Sequence, residues 1–231
     1  MSLKDQFIDR FGVESLTERG KHGRLRFEMG LGDDNLTYLI TALRRLNTVL
    51  DDLGFKNQPI GIAAYCYTFD SRVEEDGVEE TEDPLHQQLL PFARELAYYG
   101  LGRFSRSEYL RLSIPPDEGG FYAYHFSESS IDLAPGLRKM ALNDLNPDGE
   151  GSLSQWILER LIQDVAQPRG PLYEAHPILF NVDLGIMMHP YDVRGMDVFG
   201  PNIDLLKMLY NKRNTWLLDY DRERMDELYK D

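Results

Sequence analysis

The stretch Ile178-Leu179-Phe180-Asn181-Val182-Asp183-Leu184-Gly185-Ile186-Met187-Met188-His189-Pro190-Tyr191-Asp192-Val193-Arg194-Gly195-Met196-Asp197-Val198-Phe199 decides the fold. Three short apolar runs, 178–182, 186–191 and 196–199, are separated by segments rich in Asn, Asp and Gly, the residues that make turns. Such runs read as a three-stranded meander. Hairpin-length turns favour an antiparallel or mixed sheet over a parallel one.

Outward from the meander, two helices are expected to close the chain, at roughly 202–213 and 220–229. Upstream, Tyr109–Ile114 and Phe121–Phe126 read as a strand pair joined by the Pro/Gly turn 115–120. Ile60–Phe69 is rich in β-branched and aromatic residues, and Arg24–Met29 alternates around Leu25, Phe27 and Met29; both read as strands. A helix over 4–11 opens the chain. A second helix carries the apolar stripe Leu36, Leu39, Ile40, Leu43, Leu46, Leu50 and Leu53 and stops at Gly54. Helices are also expected at 84–99, with a kink at Pro91, at 137–142, and from Ser152 through Val165. The whole reads as a single α+β domain over residues 1–231, an antiparallel or mixed sheet with helices packed on it. Its C-terminal part is a three-stranded meander followed by two helices.

Composition sets the class. With 42% hydrophobic and 28% charged residues, the chain can build a core and is not a disordered polymer. Its net charge of −14, from 25 basic and 39 acidic residues, argues against nucleic-acid binding, which needs Lys and Arg on phosphates. Half of that excess lies between Asp70 and Asp83, where eight acids face one Arg72. No apolar run approaches the ~20 residues of a membrane helix. The start, Met1-Ser2-Leu3-Lys4-Asp5, lacks the apolar region of a secretion signal, so a cytoplasmic address is expected. Cys66 is the single cysteine, which excludes a disulfide framework, and it reads as a buried strand residue.

Few motifs carry chemistry. Asp144, Asn146 and Asp148 with Gly149 match the start of a calcium loop, but position eight is Gly151 and position twelve is Gln155 where a bidentate Glu is needed. The same letters make a turn closed by the capping box Ser152-x-x-Gln155, and that reading is preferred. The five histidines show no metal-ligating spacing, although His125, His176 or His189 could still meet a carboxylate in three dimensions. Glycine-rich nucleotide loops and the hydrolase elbow Gly-x-Ser-x-Gly are absent, and no cofactor is implied. The first candidate cluster is therefore the turn of the meander, with His189, Tyr191, Asp192, Arg194 and Asp197. There Asp192 suits an Asx-turn, Gly195 supplies a positive φ if the turn needs one, and Arg194 is a planar cation among acids. The expected role is a brace, Arg194 tying Asp192 or Asp197; the other reading is a ligand site.

Three segments, "RLRFEMG", "HPYDVRGMDVFG" and "WLLDYDRERMDELY", together resemble an uncharacterised bacterial family, domain of unknown function 3885. Its pattern is R-F-E, then H-x-Y-D-x-R-G-x-D, then W-x-x-D-Y-D-R-E. Arg26, Phe27 and Glu28 match the first part, and His189, Tyr191, Asp192, Arg194, Gly195 and Asp197 the second. Trp216, Asp219, Tyr220, Asp221, Arg222 and Glu223 match the third. One departure is Val193, where relatives carry a second Asp. The resemblance makes Arg26, Glu28, Asp219, Asp221 and Arg222 a second candidate cluster and brings no activity with it.

The acidic balance and the lack of a complete catalytic motif point to a non-enzymatic binding protein, for example an immunity-type partner of a basic toxin. The alternative is a small-molecule enzyme built on the His/Arg/Asp cluster at 189–197. A calcium-modulated module is a third, weaker reading.

Overall fold

The computed structural model describes residues 1–17, 23–32, 35–55, 60–69, 109–113, 120–129, 176–191 and 194–230. Among them lie seven strands and four α-helices in the order α1 (Leu3–Phe11), β1 (Arg24–Glu28), α2 (Asn35–Asp52), β2 (Ile60–Phe69), β3 (Tyr109–Ser113), β4 (Gly120–Ser129), β5 (His176–Asn181), β6 (Ile186–Pro190), β7 (Gly195–Phe199), α3 (Ile203–Lys212) and α4 (Arg222–Tyr229). The seven strands form one sheet in the order β1-β7-β6-β5-β2-β4-β3. Every pairing is antiparallel. The α+β expectation holds, and of the two sheet types the antiparallel one is found.

The meander is β5–β6–β7, with α3 and α4 after it. Its first turn needs Gly185 at φ 65°. Gly195 is not a positive-φ residue; a Cβ there would lie 1.8 Å from the hydroxyl of Tyr191, so glycine makes room for a phenol. β3 and β4 pair as the hairpin reading requires, with β4 longer than expected. The helices expected at 84–99, 137–142 and 152–165, the acidic stretch 70–83 and the 144–155 loop lie outside the described residues, as do Asp192 and Val193.

Period two sorts the sheet's side chains onto two faces. On one, Leu25, Phe27, Ile62, Ala64, Leu179, Met188, Met196 and Val198 pack against α2, α3 and α4. Along α2, Ala42, Leu46, Val49 and Leu50 are buried, as is Leu53 just past its end, while Ile40 is 46% exposed. Of the expected stripe, Leu43 packs partly buried against this core, and the side chains of Leu36 and Leu39 lie outside the described residues. On the other face, Phe126 and Phe180 receive Phe7 and Phe11 of α1, with ring centroids 4.9–6.3 Å apart. Gly61 admits the Phe180 ring, which a Cβ would meet at 2.2 Å. Each such aromatic pair contributes about 0.5–1.5 kcal/mol beyond the area it buries. α1 itself is started by Ser2, which exchanges capping-box bonds with Asp5.

Candidate functional site

β1 alternates strictly, so Leu25 and Phe27 enter the core while Arg24 and Arg26 turn to the α1 face. Register sets Arg26 opposite Asp197 on β7, and Asp197 opposite His189 on β6. One cross-strand row therefore reads Arg26, Asp197, His189. Asp197 is 4% exposed and accepts from Arg26 Nε at 3.1 Å and Arg24 Nη1 at 3.4 Å. Arg26 also donates to Asp221 Oδ2 at 2.7 Å and to the Tyr191 hydroxyl at 3.4 Å. Arg24 Nη2 lies 3.7 Å from the same Asp221 oxygen.

Two guanidinium groups and two carboxylates thus cancel within one cluster. Burial alone would lower the pKa of Arg26. The hydrogen bond to Asp221, the charge of Asp197 and the contact with Tyr191 outweigh it, so the group stands above its ordinary value and stays charged.

Asp221 reaches this row because the C-terminal segment runs along the free edge of β1. Leu217 bridges Phe27, Leu218 N donates to Arg26 O at 2.8 Å, and Arg26 N donates to Met225 Sδ at 3.3 Å. An open strand edge is a template for foreign strands, and here the chain's own end covers it. Arg222 stiffens the segment by donating to Asn214 O at 2.9 Å, Leu217 O at 3.1 Å and Asn214 Oδ1 at 3.2 Å. The guanidinium groups of Arg213 and Arg45 both lie over the Trp216 ring, 4.7 and 5.1 Å from its centroid. Arg45 in turn donates to the carbonyl of Glu28 and lies 3.8 Å from its carboxylate.

The expected clusters are therefore redistributed. Arg26 and Asp221 of the second join Asp197, Tyr191 and His189 of the first. Glu28 is drawn instead to Arg45, Arg222 works inside the C-terminal segment, and Asp219 is fully exposed with Arg222 at 3.9 Å. Arg24 and Arg26 both pair with Asp197, one of the two carboxylates expected of the Arg194 brace; the other, Asp192, lies outside the described residues. Arg194 is exposed just before β7, where its carbonyl accepts from Met29 N at 2.9 Å.

Arg24 was missed, although the alternation that selects Arg26 also selects Arg24. Tyr65 was missed too. Its hydroxyl shares a hydrogen bond with His189 Nε2 at 3.4 Å, and its ring stacks on His176 at 5.2 Å. No local signal joins residues 124 positions apart. His176 and His189 thus share the Tyr65 face, whereas His125, two positions from Ala123 on β4, falls on the opposite one. Among the described residues no group of three or more His, Cys, Asp or Glu could hold a metal ion, and no helix is long and apolar enough to cross a membrane.

In class, this is an α+β protein on one antiparallel sheet, with a neutral charge cluster tying its C-terminal segment to the sheet edge. The chain belongs to the family described as domain of unknown function 3885, whose model matches residues 3–221. No curated protein and no solved structure matches it. The three segments that carry the family pattern meet at this cluster.

Proposed function

We propose that the chain is a non-enzymatic binding protein whose partner is a basic protein, in the manner of an immunity protein that neutralises a toxin. The observation that carries this reading is the mutual neutralisation of Arg24, Arg26, Asp197 and Asp221. A catalytic or anion-binding arginine needs its guanidinium turned to a ligand, whereas these hold carboxylates of their own chain. The motif residues then serve architecture, and recognition falls to the surface, where a net charge of −14 favours a cationic partner. The hydrogen bond between Tyr65 and His189 favours a second reading, an enzyme that moves a proton at His189.

The test is to purify the product of the coding sequence adjacent to this one and titrate it into the chain by calorimetry at low and high salt. A one-to-one complex that weakens as salt rises is expected. Absence of a complex with a basic neighbour, together with turnover of a metabolite that His189→Ala abolishes, would install the enzyme in its place.

A further inference from the structure

We infer that the basic partner docks on the turn Asp219–Asp221 and the outer face of α4, with Tyr220 as its aromatic anchor. This rests on the reading of the chain as a protein that takes a basic partner, and it says where. Within one short segment, Tyr220 stands apart from its neighbours. Trp216 meets the guanidinium groups of Arg45 and Arg213 over its ring, Asp221 is tied to Arg24 and Arg26, and Arg222 holds the carbonyls of Asn214 and Leu217. Tyr220, between Asp219 and Asp221, does none of this and is 86% exposed. A large aromatic on a rigidly fastened turn presents contact area at little further cost in conformational entropy.

The surroundings select the occupant. A shallow groove beside the turn is lined by Asp219, Arg222, Glu223, Asp226, Glu227 and Lys230. Asp226 is engaged by Tyr210 at 2.7 Å and by Lys230 at 3.6 Å. Glu223 and Glu227, one helical turn apart, are exposed and make no ion pair among the described residues. Leu228, 49% exposed, adds apolar surface to the same helix. With Asp221 engaged by Arg24 and Arg26, the exposed acids near the ring in the chain are Asp219, Glu223 and Glu227. An arginine or lysine side chain that stacks on the ring can pair with them. A second copy of this chain is disfavoured, because two bodies of charge −14 repel.

The probe is a synthetic arginine–glycine repeat peptide, titrated into the full chain by calorimetry at low salt. Tyr220→Ala is expected to weaken binding about two- to fivefold and Tyr220→Phe to leave it unchanged, since the ring face is what the cation meets. The pair Glu223→Lys and Glu227→Lys is expected to weaken it about tenfold or more. The control pair Asp9→Lys and Asp183→Lys makes the same change in net charge on α1 and the β5–β6 turn, and should cost far less. Equal losses in both pairs would overturn the docking face while leaving a basic partner in place. No binding by the wild type would remove both. If the wild type instead self-associates and Tyr220→Ala abolishes that, the occupant is a second copy and the inference is wrong.

Discussion

At the scale of single residues, Tyr229 is the most instructive. It is 2% exposed, its hydroxyl has no hydrogen-bond partner among the described residues, and it lies 2.2 Å from where a Cβ on Gly23 would be. Burial pushes its phenol up to about 12. A buried hydroxyl without a partner costs about 1–3 kcal/mol, so Tyr229→Phe is expected to hold or raise stability at neutral pH. Alkali gives a second signature. Unfolded tyrosine ionises near pH ~10 while the folded phenol keeps its proton to about 12, so this residue's contribution is whole below ~10 and lost as pH rises through that interval. Urea denaturation at neutral pH and near pH ~11 checks both, with the phenylalanine variant losing less on the way up. A variant less stable than the wild type by more than about 1 kcal/mol at neutral pH would mean that the hydroxyl is bonded after all.

At the scale of elements, α2 and α3 are fastened by charge as well as by apolar contact. The Asp52 carboxylate, with 7% of its side chain exposed, accepts from Arg213 Nε at 2.5 Å and from Lys212 Nζ at 2.7 Å. Burial alone would raise its pKa, but the hydrogen bonds of Arg213 and then Lys212 outweigh it, and the carboxyl titrates below its ordinary value. An unfolded Asp titrates near ~3.9, so the stabilisation is present above that pH and lost as pH falls from there through the lower folded value. Asp52→Asn is expected to cost about 1.5–3 kcal/mol at neutral pH, with the gap to the wild type closing below pH ~4. Chemical denaturation of both proteins across this range measures it. A gap that stays constant with pH would show that the amide is losing packing and not charge.

At the scale of the whole molecule, the excess of 14 negative charges works against the compact state. Screening reaches across the protein once the Debye length falls to about 10 Å, near 0.1 M salt. The melting temperature is therefore expected to rise as sodium chloride is added from low ionic strength, followed by scanning calorimetry. A melting temperature that falls instead would mean that favourable pairs such as Arg26–Asp221 outweigh the self-repulsion.

What the amino-acid order determined by itself was local. Alternation set Leu25 and Phe27 inward and Arg26 outward, and short turns imposed antiparallel pairing on the meander. These follow from the two-residue period of a strand and from the reach of a tight turn, which act within a few residues. The tertiary structure alone decided which charges meet. Asp197 takes partners from a strand more than 170 positions away, Tyr65 finds His189 across β5, and Asp221 arrives only because the chain's end lies along the edge of β1. A guanidinium's choice of carboxylate depends on distance in space and on shared burial, and neither is written in spacing along the chain. The sequence therefore named Arg26, Asp197 and Asp221 as candidates in separate places, and folding across the sheet made them one cluster.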